Sequence, residues 1–157
     1  MTYLYVKWLH ILSSTLLFGT GLGSAFYMYF TSRTRQPQAI AVVARQVVIA
    51  DWVFTTPAII LQPLTGFYLM HLAGMTLAGA PWVQWSIALY LLAGAAWLPV
   101  VWMQIQMREM AAIAANTGAA IPPRYWRFLR AWVGLGVIAF TALVAVFYLM
   151  VAKPVLS

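Results

Sequence analysis

Tyr3-Leu4-Tyr5-Val6-Lys7-Trp8-Leu9-His10-Ile11 opens a run that carries no further Lys, Arg, Asp or Glu until Arg33. The stretch from Tyr3 to about Phe30 exceeds the roughly 20 apolar residues needed to cross a bilayer. It is too long for a signal-peptide core and has no basic region ahead of it, so it is expected to persist as a helix. Lys7 and His10 stand three residues apart on one face of that helix. An ionisable group in such a setting costs about 2.5–3.5 kcal/mol on insertion scales, so it marks a functional candidate.

The remaining composition agrees with a membrane assignment. Of 157 residues, 64% are hydrophobic and only 7% charged, and the mean hydropathy is +0.87. A soluble domain is nearer half apolar and a quarter charged. The absence of cysteine excludes disulfides, iron–sulfur clusters and thiolate metal sites. Nine Lys and Arg against Asp51 and Glu109 give a charge of +7. These basic residues flank apolar runs, which fits membrane topology and not nucleic acid binding.

Four stretches qualify as spans, at about 3–30, 47–73, 82–107 and 128–152. Short gaps between them predict an all-α, four-helix up-and-down bundle forming one transmembrane domain. The first connection carries Arg33, Arg35 and Arg45, and the third carries Arg108, Arg124, Arg127 and Arg130. The second, Gly74 to Pro81, is uncharged. Seven of the nine basic residues thus fall on one side, which predicts Arg-rich loops in the cytoplasm and both termini in the periplasm of a bacterial inner membrane. Glu109 to Ala115 reads as a turn of helix lying on the headgroups, stopped by Asn116-Thr117-Gly118, with Pro122-Pro123 leading into span four.

The chain has two histidines, His10 in span one and His71 at the end of span two, and both predict to the same leaflet. Antiparallel neighbours would bring them onto one cofactor, and imidazole is a preferred axial ligand of haem iron. Alternatively, His10 simply hydrogen-bonds a neighbouring helix, and His71 is hydrated at the interface. Along the face of His10, Ser14 and Gly21 are small enough to admit a flat ligand. Gly19-x-x-x-Gly23 reads equally as a helix-packing pattern. Lys7 either snorkels to the headgroups or meets a porphyrin propionate or quinone oxygen.

In span two, Pro57 and Pro63 free the carbonyls of Val53 and Ile59. The threonines and Gln62 are candidates to satisfy them, or Gln62 lines a cavity. Asp51 lies near the cytoplasmic end, close to where Arg45 or Arg127 could neutralise it, which suggests an anchoring ion pair ahead of a proton entry point. Tyr3, Tyr5, Trp8, Trp52, Trp82, Trp85, Tyr125 and Trp126 read as an interfacial aromatic belt. Scattered methionines without a Met-x-x-Met array give no support to copper binding. Neither acid falls near a histidine, so nothing suggests a hydrolase.

Several of these residues carry a family resemblance. Tyr5-Val6-Lys7-Trp8-Leu9-His10-Ile11 resembles the Lys-x-x-His-Ile opening of HemJ, a haem-b protoporphyrinogen oxidase of bacteria. Arg45 to Gly66, with Trp52 and Thr55-Thr56-Pro57-Ala58, is similar to its second span, and Val151-Ala152-Lys153-Pro154 to its ending. Leu98-Pro99-Val100-Val101-Trp102 and Pro122-Pro123-Arg124-Tyr125-Trp126-Arg127 look closer still to a bacterial family of predicted integral membrane proteins without assigned function. That family resembles HemJ and the CopD copper-resistance domain at a distance. HemJ carries Lys and His in its third span and this chain does not, so the resemblance implies haem at His10 without implying porphyrinogen oxidation.

The sequence therefore points to a b-type haem protein, with His10 and His71 on the iron and Lys7, Ser14 and Gly21 around the cofactor, serving electron transfer with a quinone or porphyrin. Two other classes stay open. One is a non-enzymatic accessory subunit, as a homodimer or in a larger membrane complex. The other is a transporter of a small solute past Gln62.

Overall fold

Hydropathy and helix-stop signals together set the architecture in a computed structural model, which describes residues 1–154. The helices are α1 (Thr2–Arg33), α2 (Pro37–Ala50), α3 (Thr56–Leu72), α4 (Pro81–Thr117) and α5 (Pro123–Ala152). A π-helical turn, Asp51–Thr55, joins α2 to α3 in one continuous rod. That rod and the three other helices make four apolar elements long enough to cross a membrane among the described residues. The all-α four-helix expectation holds.

The boundaries differ from the expected ones at the Arg-rich end. Only Thr34 to Gln36 separates α1 from α2, and helix starts again at Pro37, about ten residues before the predicted span. The cause is amphipathicity: Ile40, Ala44 and Val47 point inward at helical spacing while Arg45 and Gln46 stay exposed. The same pattern carries α4 on to Thr117, with Met107, Ala111 and Ala114 fully or almost fully buried. Gly118 then ends it in the left-handed conformation, φ 69°. Glu109 to Ala115 is thus the last part of α4 packed beside α2, not a separate piece lying on headgroups.

The apolar core gathers at this end. Met28, Ile40, Ala44, Met107, Ala111 and Tyr125 form its centre. Tyr125, expected in the aromatic belt, is instead completely buried and shares a 2.7 Å hydrogen bond with Ser32, whose own hydroxyl donates to the Met28 carbonyl. Trp126 lies under the Arg35 guanidinium, and Lys153 lies over Trp82 at the opposite end. Away from the Arg-rich end, α1 and α5 bury little and meet through Phe18, which stacks against Phe140 and Phe147.

The prolines of the second span are accommodated separately. Pro57 sits in the first turn of α3, just after the π turn. Pro63 lies within α3 and leaves the Ile59 carbonyl without a helical donor. The Tyr90 hydroxyl of α4 supplies the missing bond at 2.6 Å. Of the expected donors, Thr55 bonds Asp51, and Gln62 bonds the His10 carbonyl and Ser13.

Candidate functional site

Two polar groupings stand out in the apolar bundle. The first is a seam between α1 and α3 around His10. The Thr65 hydroxyl donates to the Leu61 carbonyl at 2.6 Å, a helix-interior back-bond. That commitment makes Thr65 Oγ1 the acceptor in its 2.7 Å contact with His10 Nδ1, so the proton sits on Nδ1 and Nε2 keeps its lone pair. The His10 ring lies against Gly66, where an added Cβ would meet Cε1 at 3.4 Å. Gln62 donates to the His10 carbonyl at 2.8 Å and to Ser13 Oγ at 2.6 Å. The bland role foreseen for His10, a bond to a neighbouring helix, is thus present, and it leaves one ring nitrogen free.

The other predicted site residues do not join this seam. His71 is exposed, and its imidazole forms no hydrogen bond among the described residues. It follows Thr65 by six residues, which on a helix is about 9 Å along the axis and some 120° around it. The two imidazoles therefore do not converge, and no group of three or more His, Cys, Asp or Glu able to hold a metal ion occurs among the described residues. His10 therefore stands as the single imidazole of this seam. Lys7 is exposed and in no ion pair among the described residues. Ser14 donates to the Ile11 carbonyl of its own helix at 2.7 Å. Gly21 lies eleven residues, about 16 Å, beyond His10 and belongs to the second grouping.

That second grouping is a cavity of 520 Å³ bounded by α1, the α2–α3 rod, α4 and α5. Its walls are mostly apolar and aromatic, including Phe18, Tyr90, Trp97, Trp132 and Phe140. Gly21, Gly94 and Gly136 widen it, since a Cβ built on any of them meets nothing within 4 Å. Gly19 and Gly23 likewise touch no neighbouring helix, so the small-residue face of α1 is not a packing seam within this chain. Leu22, Phe26 and Val137 line the cavity and are also exposed on the outside, which puts its mouth between α1 and α5, toward lipid.

Asp51 lies on the cavity wall at the Arg-rich end, 7% exposed. The expected ion pair with Arg45 or Arg127 is absent. The sole ion pair among the described residues is the exposed Arg108–Glu109 contact. Six residues past Arg45, Asp51 has turned inward from a helix whose arginine faces out. Thr55 donates to its Oδ1 at 2.8 Å, and Gln104 to its Oδ2. Trp132 Nε1 in turn donates to Gln104 Oε1 at 3.3 Å. Trp97, two turns along α4 from Gln104, also lines the cavity, and its Nε1 is buried without a partner. Leaving such a donor unpaired costs about 1–3 kcal/mol.

Sequence reasoning passed over Asp51, Gln104 and Trp97 as site residues. The available signal was the one acid inside a predicted span, together with the spacing of seven between Trp97 and Gln104, which places them on one helix face.

A four-span bundle with a lipid-facing internal cavity defines the chain as an integral membrane protein. Residues 4–154 match the family described as predicted integral membrane protein (DUF2269), and the chain belongs to that family. No curated protein and no solved structure matches it.

Proposed function

We propose that this protein binds a flat, lipophilic redox molecule, a quinone or a porphyrin-like compound, in the cavity between α1 and α5. The observation that carries this reading is one 520 Å³, mostly apolar space whose lining includes the counter-ion-free Asp51 and Trp97, a residue whose buried N–H has no partner. Small-molecule sites are typically about 300–1,000 Å³, mainly apolar, with a few polar groups fixing orientation. A mouth facing lipid suits a ligand that partitions into the bilayer. The redox character draws on the span-one resemblance to HemJ. The protein is read as residing in a bacterial inner membrane, its Arg-rich end in the cytoplasm and both termini in the periplasm.

The test is a titration of detergent-solubilised protein with short-chain quinones and with a porphyrin, read by quenching of Trp97 and Trp132. Saturable quenching is expected for wild type. It should disappear in Gly94→Leu, which fills the cavity from a position where added atoms meet open space. Absence of saturable binding by any of these probes would refute the reading.

A second reading, b-type haem held by His10 alone, is favoured by the Nδ1–Thr65 bond, which leaves Nε2 free to ligate. A bound haem would supply one-electron chemistry; Thr65 would hold the imidazole in the ligating tautomer. Reduced-minus-oxidised spectra of protein expressed with ample haem should show Soret and alpha bands that His10→Ala abolishes, Thr65→Val weakens and His71→Ala leaves intact. Featureless spectra would end this reading without touching the first. Association as a homodimer or with a partner membrane subunit is compatible with the exposed faces of α1 and α5.

A further inference from the structure

The hydrogen-bond directions around the cavity specify what its ligand must offer. Trp132 Nε1 can only donate, so the Gln104 atom it meets is Oε1. Gln104 therefore turns its NH₂ toward Asp51 Oδ2, while Thr55 donates to Oδ1. Both oxygens of Asp51 act as acceptors, each with a lone pair to spare, and no cation among the described residues pairs with it. Trp97 has the opposite need, a donor with no acceptor. It precedes Gln104 by seven residues, about 10 Å on the same face of α4.

A carbonyl-only molecule would answer Trp97 and leave Asp51 facing lone pairs. A lipophilic ammonium would answer Asp51 and leave Trp97 unpaired. A six-membered ring with hydroxyls at opposite ends answers both, because a hydroxyl donates and accepts. Resting on the cavity reading above, we propose that the site takes the reduced, hydroquinone form of a lipophilic quinone, one hydroxyl donating to Asp51 and the far oxygen accepting from Trp97 Nε1.

The experiment compares, under anaerobic conditions in detergent, binding of a short-chain hydroquinone, its quinone, and a lipophilic aryl ammonium by calorimetry. The hydroquinone should bind about tenfold tighter than the quinone, the scale of one hydrogen bond. Asp51→Asn should erase that preference, and Trp97→Phe should weaken both forms by a similar factor. An equal or tighter quinone, a preference that survives Asp51→Asn, or an ammonium that outcompetes the hydroquinone would each overturn the proposal. If quinone and hydroquinone bind equally and Gly94→Leu abolishes both, the cavity reading survives and this inference fails. If no probe binds, both fail.

Discussion

Replacing Tyr90 by phenylalanine keeps the ring on the cavity wall and removes one oxygen. That oxygen donates to the Ile59 carbonyl at 2.6 Å, and it does so because Pro63 cannot. The variant loses one hydrogen bond and leaves a carbonyl unpaired in an apolar surround, together costing about 1–3 kcal/mol. In a Pro63→Ala background the new amide at position 63 can close the ordinary helical bond to Ile59, so the Tyr90 hydroxyl becomes dispensable. Tyr90→Phe should then cost about 0.5 kcal/mol or less, the level of an ordinary tolerated change. The four proteins form a double-mutant cycle with a coupling of about 0.5 kcal/mol or more. Thermal unfolding in detergent reads it, at about 2–4 °C per kcal/mol for a chain of this size. Equal losses in the two backgrounds would refute the claim that Tyr90 substitutes for the proline's missing donor.

Two further outcomes follow from packing. Met107→Ala, at a completely buried centre of the core, should cost about 2–5 kcal/mol in the same unfolding assay. His71→Ala should stay within about 0.5 kcal/mol, whereas Tyr125→Phe, which strips a buried bond to Ser32, should cost about 1 kcal/mol.

Span number and helix class were legible because apolar length and loop chemistry are local properties of the chain. The Gly118 stop and the Pro122-Pro123 entry to the last helix are local too, and residues 34–36 and 118–122 form the turns at the Arg-rich end. The reach of α2 and α4 beyond the apolar runs was missed because a hydropathy window averages over both faces of a helix. Ile40 and Ala44 are diluted there by Arg45 and Gln46.

At the site, His10 could be singled out by its chemistry, but its pairing with Thr65 depends on the register of α1 against α3. His71 was joined to it on leaflet alone, and rotation around α3 separates them. Asp51 was given to Arg45 or Arg127 because all three predict to the same end of the bundle. Its true partners, Thr55 and Gln104, follow from which face the π turn presents to α4, which no spacing rule conveys.

The gathering of the core at one end places two solvents in charge of one molecule. The α2–α3 rod has 36 residues and α4 has 37, each about 54 Å long, against a hydrocarbon layer of about 30 Å. The excess beyond Arg45 and Arg108 amounts to about 13 Å of helix, and it carries Ile40, Ala44, Ala111 and Ala114 into contact. Only in this projecting part does water drive apolar burial; between helices in lipid, the hydrophobic effect contributes no comparable force. Urea should accordingly loosen the projection while the lipid-embedded helices persist. The bundle thus resembles a small soluble protein grafted onto the ends of four anchors, with its cavity lying just beneath the join.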